Sequence, residues 1–150
     1  MEVNLYSGSL HARHRSSHAA ARRRPHHQYV DGKRAYSSPM LVDYNSAKAA
    51  LLAYTKTMSF ELAPDNILVN SVCPALVHSP LWERWADATV GMMGKTRDEV
   101  YQNLAGQALA LKRFGRPEEV SGIVVFLASE RASFITGCRY DVDGGYAKSI

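Results

Sequence analysis

What most restricts the fold of this chain is a helix-length apolar stripe followed at once by a strand-length apolar run. Between Tyr44 and Leu62, the residues Ala47, Ala50, Leu51, Tyr54, Met58 and Leu62 recur at steps of three and four, the period of one helix face. Asp43 stands where an N-cap is expected, and Pro64 followed by Asp65 and Asn66 closes the helix in a turn. Ile67 to Cys73 is then a short apolar run broken by Pro74, the pattern of a buried strand. Downstream, a loosely helical stretch from Leu81 to Leu111 is interrupted at Gly91-Met92-Met93-Gly94. A further helix opens at Arg116-Pro117-Glu118-Glu119, with proline near its first turn and acids that complement the helix dipole, and runs through Val120, Ile123, Val124 and Leu127. Cys138 to Val142 reads as a last strand, ending at Asp143-Gly144-Gly145. Helices alternating with strands predict an α/β fold whose strands pair in parallel through helical crossovers.

Upstream of Gly32 the composition has a different character. Residues 1–31 hold five Arg, no Lys and two acids, and the stretch Leu10–His27 is built of Arg, His, Ala and Ser, apart from a single large apolar side chain at its start and Pro25. Such a segment buries too little apolar surface to offset its ordering entropy, so residues 1–31 are expected to form a basic, disordered or irregular arm. Residues 32–150 are expected to form the folded part. That part is nearly neutral and shows no electrostatic footprint for nucleic acid. No apolar run reaches the ~18–20 residues of a membrane span, so no membrane partner is expected. Cys73 and Cys138, far apart and without a CxxC pattern, give neither a disulfide framework nor a cysteine zinc site, which fits a reducing, cytoplasmic setting. The spacing of His11, His14 and His18 offers no carboxylate shell, and no metal site is assigned.

Chemistry enters with Tyr44 and Lys48, four apart on one helix and therefore on one face. A free phenol with a pKa of about 10 is a poor proton-transfer group near neutrality. An ammonium beside it favours the phenolate and brings it toward the working range. The same spacing also describes a helix-end tyrosine beside a solvated lysine. Trp82, Trp85, Met92 and Met93 either line an apolar pocket or pack as core, and core packing is the expectation. His78 is read as a surface histidine.

The neighbours of that pair narrow the reading. Tyr44-Asn45-Ser46-Ala47-Lys48, then Asn70-Ser71-Val72-Cys73-Pro74-Ala75-Leu76-Val77-His78-Ser79, then Arg113-Phe114-Gly115-Arg116-Pro117-Glu118-Glu119, Ile135-Thr136-Gly137 and Val142-Asp143-Gly144-Gly145 follow one another in this order. Together, over 35–146, they resemble the C-terminal half of the short-chain dehydrogenase/reductase family. The resemblance implies part of a Rossmann-type, doubly wound parallel sheet and an oxidoreductase using NAD or NADP on a small carbonyl or alcohol. It implies that Tyr44, in the YxxxK position, is the general acid/base, and that Lys48 lowers its pKa and holds the nicotinamide ribose. It also implies cofactor contacts at Pro74, Ala75, Val77 and Ser79, with Ala75 in place of the family's usual glycine and Ser79 in place of its threonine. Family members assemble as dimers or tetramers through the tyrosine-bearing helix and the last strand, so a homo- or hetero-oligomer is implied.

Two family features are missing from the sequence. No GxGxxG or TGxxxGxG turn, the pyrophosphate-binding loop, occurs anywhere in the chain, and only Gly8 and Gly32 precede Tyr44. About a dozen residues before the tyrosine, where the family carries its catalytic serine, this chain has Val30 and Asp31; Ser37 and Ser38 stand too near in sequence. Positioning of a cofactor supplies ~7–11 kcal/mol of such a barrier. The expectation is therefore a truncated oxidoreductase, weakly active or inactive alone. Its alternative is a non-catalytic subunit that pairs with a full-length relative.

Overall fold

The computed structural model describes residues 3–6, 27–31 and 42–147, with side chains described from 42 to 147. In chain order the elements are β1 (Val3–Tyr6), β2 (His27–Asp31), α1 (Val42–Leu62), β3 (Leu68–Pro74), α2 (Pro80–Met93), α3 (Arg97–Ala108), α4 (Pro117–Leu127) and β4 (Arg139–Val142). The four strands form one sheet in the order β1-β2-β3-β4, and every pairing is parallel. The expectation of parallel strands and helical crossovers in an α/β fold holds.

The arm differs from its expectation at both ends. Val3–Tyr6 and His27–Asp31 are strands, and β2 lies between β1 and β3 with His27 opposite Leu68 and Asp31 opposite Val72. The physical reason is tertiary. A five-residue strand of mixed composition has little propensity of its own, but β3 offers it a complete ladder of backbone partners. Residues 7–26, which hold His11, His14, His18 and the Arg22-Arg23-Arg24 run, lie outside the described residues, as do Ser37 and Ser38.

β3 is the centre of the structure. Its residues from Leu68 to Cys73 are all buried, and period-two alternation sends them to opposite faces. Ser71 faces α1, where its hydroxyl donates to Thr55 Oγ1 at 2.8 Å, and Thr55 in turn donates to the Leu51 carbonyl. Val72 faces the other way, into a cluster with Leu127 of α4 and Ala132. Asn70, also buried, ties β3 to the segment before β4. Its amide donates to the Ile135 carbonyl at 2.9 Å, and its carbonyl accepts from the Cys138 amide at 3.1 Å.

α1 begins at Val42, so Asp43 sits in its first turn rather than at the cap. A 3-10 turn at Ala63–Asp65 and Asn66 in the left-handed region end it, as the Pro64-Asp65-Asn66 sequence predicts. The face buried deepest differs from the apolar stripe. Thr55 and Ser59 are buried, whereas Ala47 and Ala50 are exposed and Leu51, Tyr54, Met58 and Leu62 only half-buried. Small hydroxyl side chains let the helix approach β3 and the Thr136-Gly137 turn closely. A Cβ on Gly137, which has φ +68°, would come within 2.5 Å of Ser59 Oγ.

The long helical stretch divides where the glycines predict. Gly94, left-handed at φ 61°, ends α2, and Thr96 starts α3 with a reciprocal capping box to Glu99. α2 and α3 fold over the segment after β3 and build a second apolar cluster around Leu76, Ala86, Val100, Tyr101, Ala105, Leu109 and Phe114. Trp82 packs against it, edge-on to Phe114 at 5.5 Å. Met92 and Met93 do not meet the core expectation: they are 88% and 62% exposed, because the helix end carries them past the cluster.

Candidate active site

α1 and β3 run in opposite directions, joined by a short turn and touching at Thr55–Ser71. Tyr44 lies eleven residues before Thr55 and Lys48 seven, both near whole numbers of turns, so both stand on the sheet-facing stripe with Thr55. At 1.5 Å per residue Lys48 lies about 10 Å up the helix from the contact and Tyr44 about 16 Å. Pro74 lies about 10 Å up β3 from Ser71. The pair is thus carried to the C-terminal end of the sheet, with Lys48 level with Pro74 and Tyr44 beyond the strand. There Tyr44 is 38% exposed, and Lys48 Nζ sits 5.4 Å from the centre of its ring. Asp31 ends β2 at this same edge, opposite Val72.

The segment leaving β3 has a defined path. Pro74 ends the strand, opposite Val142 of β4. Ala75 packs against the second apolar cluster, which gives its methyl group a place. Val77 forms a parallel bridge with Gly115: the Gly115 amide donates to the Leu76 carbonyl at 2.8 Å, and the His78 amide donates to the Gly115 carbonyl at 3.0 Å. Ser79 is extended and precedes α2, and its hydroxyl makes no capping bond.

Two cavities border this segment. One of about 550 Å³ is lined by His78, Asp98, Tyr101, Gln102, Arg113, Phe114 and Arg116. The His78 ring packs on Tyr101 and Phe114, at 5.0 and 5.2 Å, which is why it sits where it does. Burial pushes the Tyr101 phenol up, and its hydroxyl has no hydrogen-bond partner among the described residues, so it is a poor proton-transfer group. The other cavity, of about 250 Å³, has Val77 in its wall with Leu76, Gly115, Val120 and Asp143. Tyr44 and Lys48 line neither of these two. Asp143 is engaged in its own turn, accepting from the Gly145 and Ala147 amides, both at 2.9 Å. Among the described residues no cluster of His, Cys, Asp or Glu is arranged to hold a metal, and no helix is long and apolar enough to cross a membrane.

Sequence reasoning passed over the Arg113–Glu119 pair. Arg113 donates to both Glu119 oxygens, at 2.7 and 2.9 Å, and Glu119 also accepts from the Arg116 amide at 2.8 Å. The signal was present in Arg116-Pro117-Glu118-Glu119, where an acid three residues after a helix start is a capping residue. The Arg113 guanidinium first, and the Arg116 amide second, hold the Glu119 carboxyl down from 4.5 to about 2. A depressed carboxyl stabilises the folded state fully above the ordinary value and loses that contribution as pH falls through the folded one. The pair is therefore expected to be intact above pH 4.5 and to open between there and about 2. Following the Glu119 carboxyl carbon by NMR tests this, and a midpoint near the ordinary 4.5 would contradict it.

Comparison with known proteins places the chain. The family profile described as enoyl-(acyl carrier protein) reductase matches residues 1–147, which extends upstream of the resemblance read from the motifs. The 3-oxoacyl-[acyl-carrier-protein] reductase FabG of Aquifex aeolicus is 40% identical over 104 residues, covering 69% of this chain and 37% of that protein. Dehydrogenase/reductase SDR family member 4 of Homo sapiens is 41% identical over 112 residues, covering 72% of this chain and 35% of that protein. Among solved structures, L-sorbose reductase from Gluconobacter frateurii complexed with NADPH and L-sorbose superposes with a TM-score of 0.77 at 33% identity, covering 85% of this chain and 49% of that one. An NADPH-bound short chain oxidoreductase from Pseudomonas aeruginosa with an atypical catalytic centre gives 0.72 at 26% identity, covering 83% and 47%. The chain thus spans a third to a half of the length of these relatives. With a parallel α/β sheet and these matches, the chain belongs to the short-chain dehydrogenase/reductase family.

Proposed function

We propose that this chain carries the proton-transfer and nicotinamide-facing half of an NAD(P)-dependent oxidoreductase acting on a small carbonyl or alcohol. The observation that carries the reading is the shared level of Tyr44, Lys48 and the segment after Pro74 at the C-terminal end of the sheet, where open α/β folds bind ligands. Tyr44 donates a proton to a carbonyl oxygen or takes one from an alcohol. Lys48 holds a positive charge beside the phenol ring and so favours the phenolate when that proton leaves. Pro74, Ala75, Val77 and Ser79 form the wall for the nicotinamide, and the uncapped Ser79 hydroxyl offers one donor and one acceptor to its amide. Hydride transfer is the chemistry that a bound nicotinamide supplies. These residues suit that end of the cofactor; for the pyrophosphate end, the 150 residues contain no GxGxxG or TGxxxGxG pattern. Val30 and Asp31 at the spacing of the family's serine are a second departure in the sequence.

Alone, the chain is therefore expected to bind NADH and NADPH without saturation up to millimolar concentration and to turn over little or nothing. Fluorescence titration or calorimetry on the purified chain tests this. Saturable micromolar binding with turnover would show that the chain builds a pyrophosphate site, and would overturn this expectation.

A second reading, a non-catalytic subunit that pairs with a full-length relative, is favoured by the apolar side chains that α4 and the turn after it leave exposed: Val125, Phe126 and a fully exposed Phe134. Co-purification with a complete relative supports that reading, and strictly monomeric behaviour beside one removes it.

A further inference from the structure

We propose that Arg113 and Glu119 are positioning residues: their ion pair, seated on the first turn of α4, fixes the extended segment from Leu76 to Ser79 in place. The connection is continuous. Glu119 binds the Arg113 fork and the Arg116 amide, so α4 and the loop before it move as one piece. Arg113 Nη1 also donates to the Phe114 carbonyl at 3.1 Å, and the Phe114 ring is buried in the second apolar cluster. Gly115 then exchanges its two backbone bonds with Leu76 and His78, which makes the segment after β3 a short added strand on this loop. The ladder of β3 with β4 ends at Pro74, so among the described residues the backbone hydrogen bonds of Leu76 and His78 beyond it run to Gly115. A Cβ on Gly115 would meet Val77 Cγ2 at 3.4 Å and the Leu76 carbonyl oxygen at 3.7 Å, ordinary contact distances that place the two segments side by side.

The consequence is that ions on the outside of the molecule determine where Val77 and Ser79 stand. That these two positions face a nicotinamide rests on the functional reading above; the mechanical coupling does not. The bidentate pair has the planar geometry that only arginine supplies, so Arg113→Lys keeps the charge and loses the fork.

Amide hydrogen exchange on the purified chain tests the coupling without any cofactor. In Glu119→Gln, which keeps length and a capping acceptor, the Gly115 and His78 amides are expected to exchange at least about fivefold faster. The Ser71 and Gly137 amides, which bond within the sheet region at 2.9 and 2.7 Å, are expected to stay unchanged. The His78 ring protons, shifted by Tyr101 and Phe114, are expected to move toward free-histidine values in the same variant, and Arg113→Lys to fall between it and the parent. Unchanged Gly115 and His78 amides, or equal acceleration at all four sites, would overturn the proposal. Cofactor titration of the parent chain supplemented with the upstream half of a relative is read separately. Failure to bind there counts against the nicotinamide reading and leaves the exchange result to decide the coupling.

Discussion

Joined to the cofactor-binding half of a relative, the chain is expected to lose turnover ~10²–10⁴-fold on Tyr44→Phe while its cofactor affinity stays within about twofold. The substitution removes one oxygen and leaves the ring, which is 38% exposed and belongs to neither buried apolar cluster of the described residues. Its effect therefore falls on the step in which a proton moves and not on folding. Lys48→Met behaves differently in the same protein. Its ammonium lies 5.4 Å from the centre of the Tyr44 ring, so losing it raises the cost of the phenolate. If it also reaches the ribose, cofactor affinity falls together with turnover. Steady-state rates and cofactor titrations on the two variants separate these roles. A Tyr44→Phe protein retaining more than about a tenth of the parent turnover would remove Tyr44 as the acid/base.

Leu127→Ala is expected to cost ~2–5 kcal/mol of stability. Leu127 is fully buried where the last turn of α4 meets β3, in a cluster with Val72 and Ala132 that Ile123, Ile135, Tyr140 and Val142 enclose. Those neighbours come from a helix, two strands and a turn, so they cannot collapse together onto the space that a lost side chain leaves. Val125, two residues away on the same helix and 67% exposed, provides the contrast: Val125→Ala should change stability by no more than ~0.5 kcal/mol. Urea unfolding of both variants decides the matter, with an unchanged slope showing that the denatured state is the same.

The elements from α1 onward were legible because each carries its own punctuation. Pro64 and Asn66 end α1, Gly94 and Thr96 separate α2 from α3, and Pro117 opens α4, all local backbone chemistry that needs no tertiary partner. β1 and β2 carry none. His27–Asp31 sits in the sheet through the ladder that β3 offers, a relation between residues some forty apart that no window of sequence contains. The face of α1 was displaced for a similar reason. Periodicity counts apolar side chains, whereas the contact with β3 is made by two hydroxyls, Thr55 and Ser71. Of the candidate site, the Tyr44–Lys48 spacing was readable because a helix converts a step of four into proximity. Arg113 and Glu119 stand six apart across a loop and a helix start, where sequence distance says nothing about space.

The strands lie in the sheet in the order in which they are synthesised, β1 to β4. Each pairing joins a strand to the one made just before it, so no strand has to wait for a segment that leaves the ribosome after its partner. Growth at a single moving edge gives each strand a partner that is already made, while the closures lengthen along the chain from Val3–His27 through His27–Leu68 to Ser71–Arg139, and each longer one costs slightly more chain entropy. A nascent chain can lay this sheet down by accretion, with β3 completed as a template before the segment that becomes β4 has emerged.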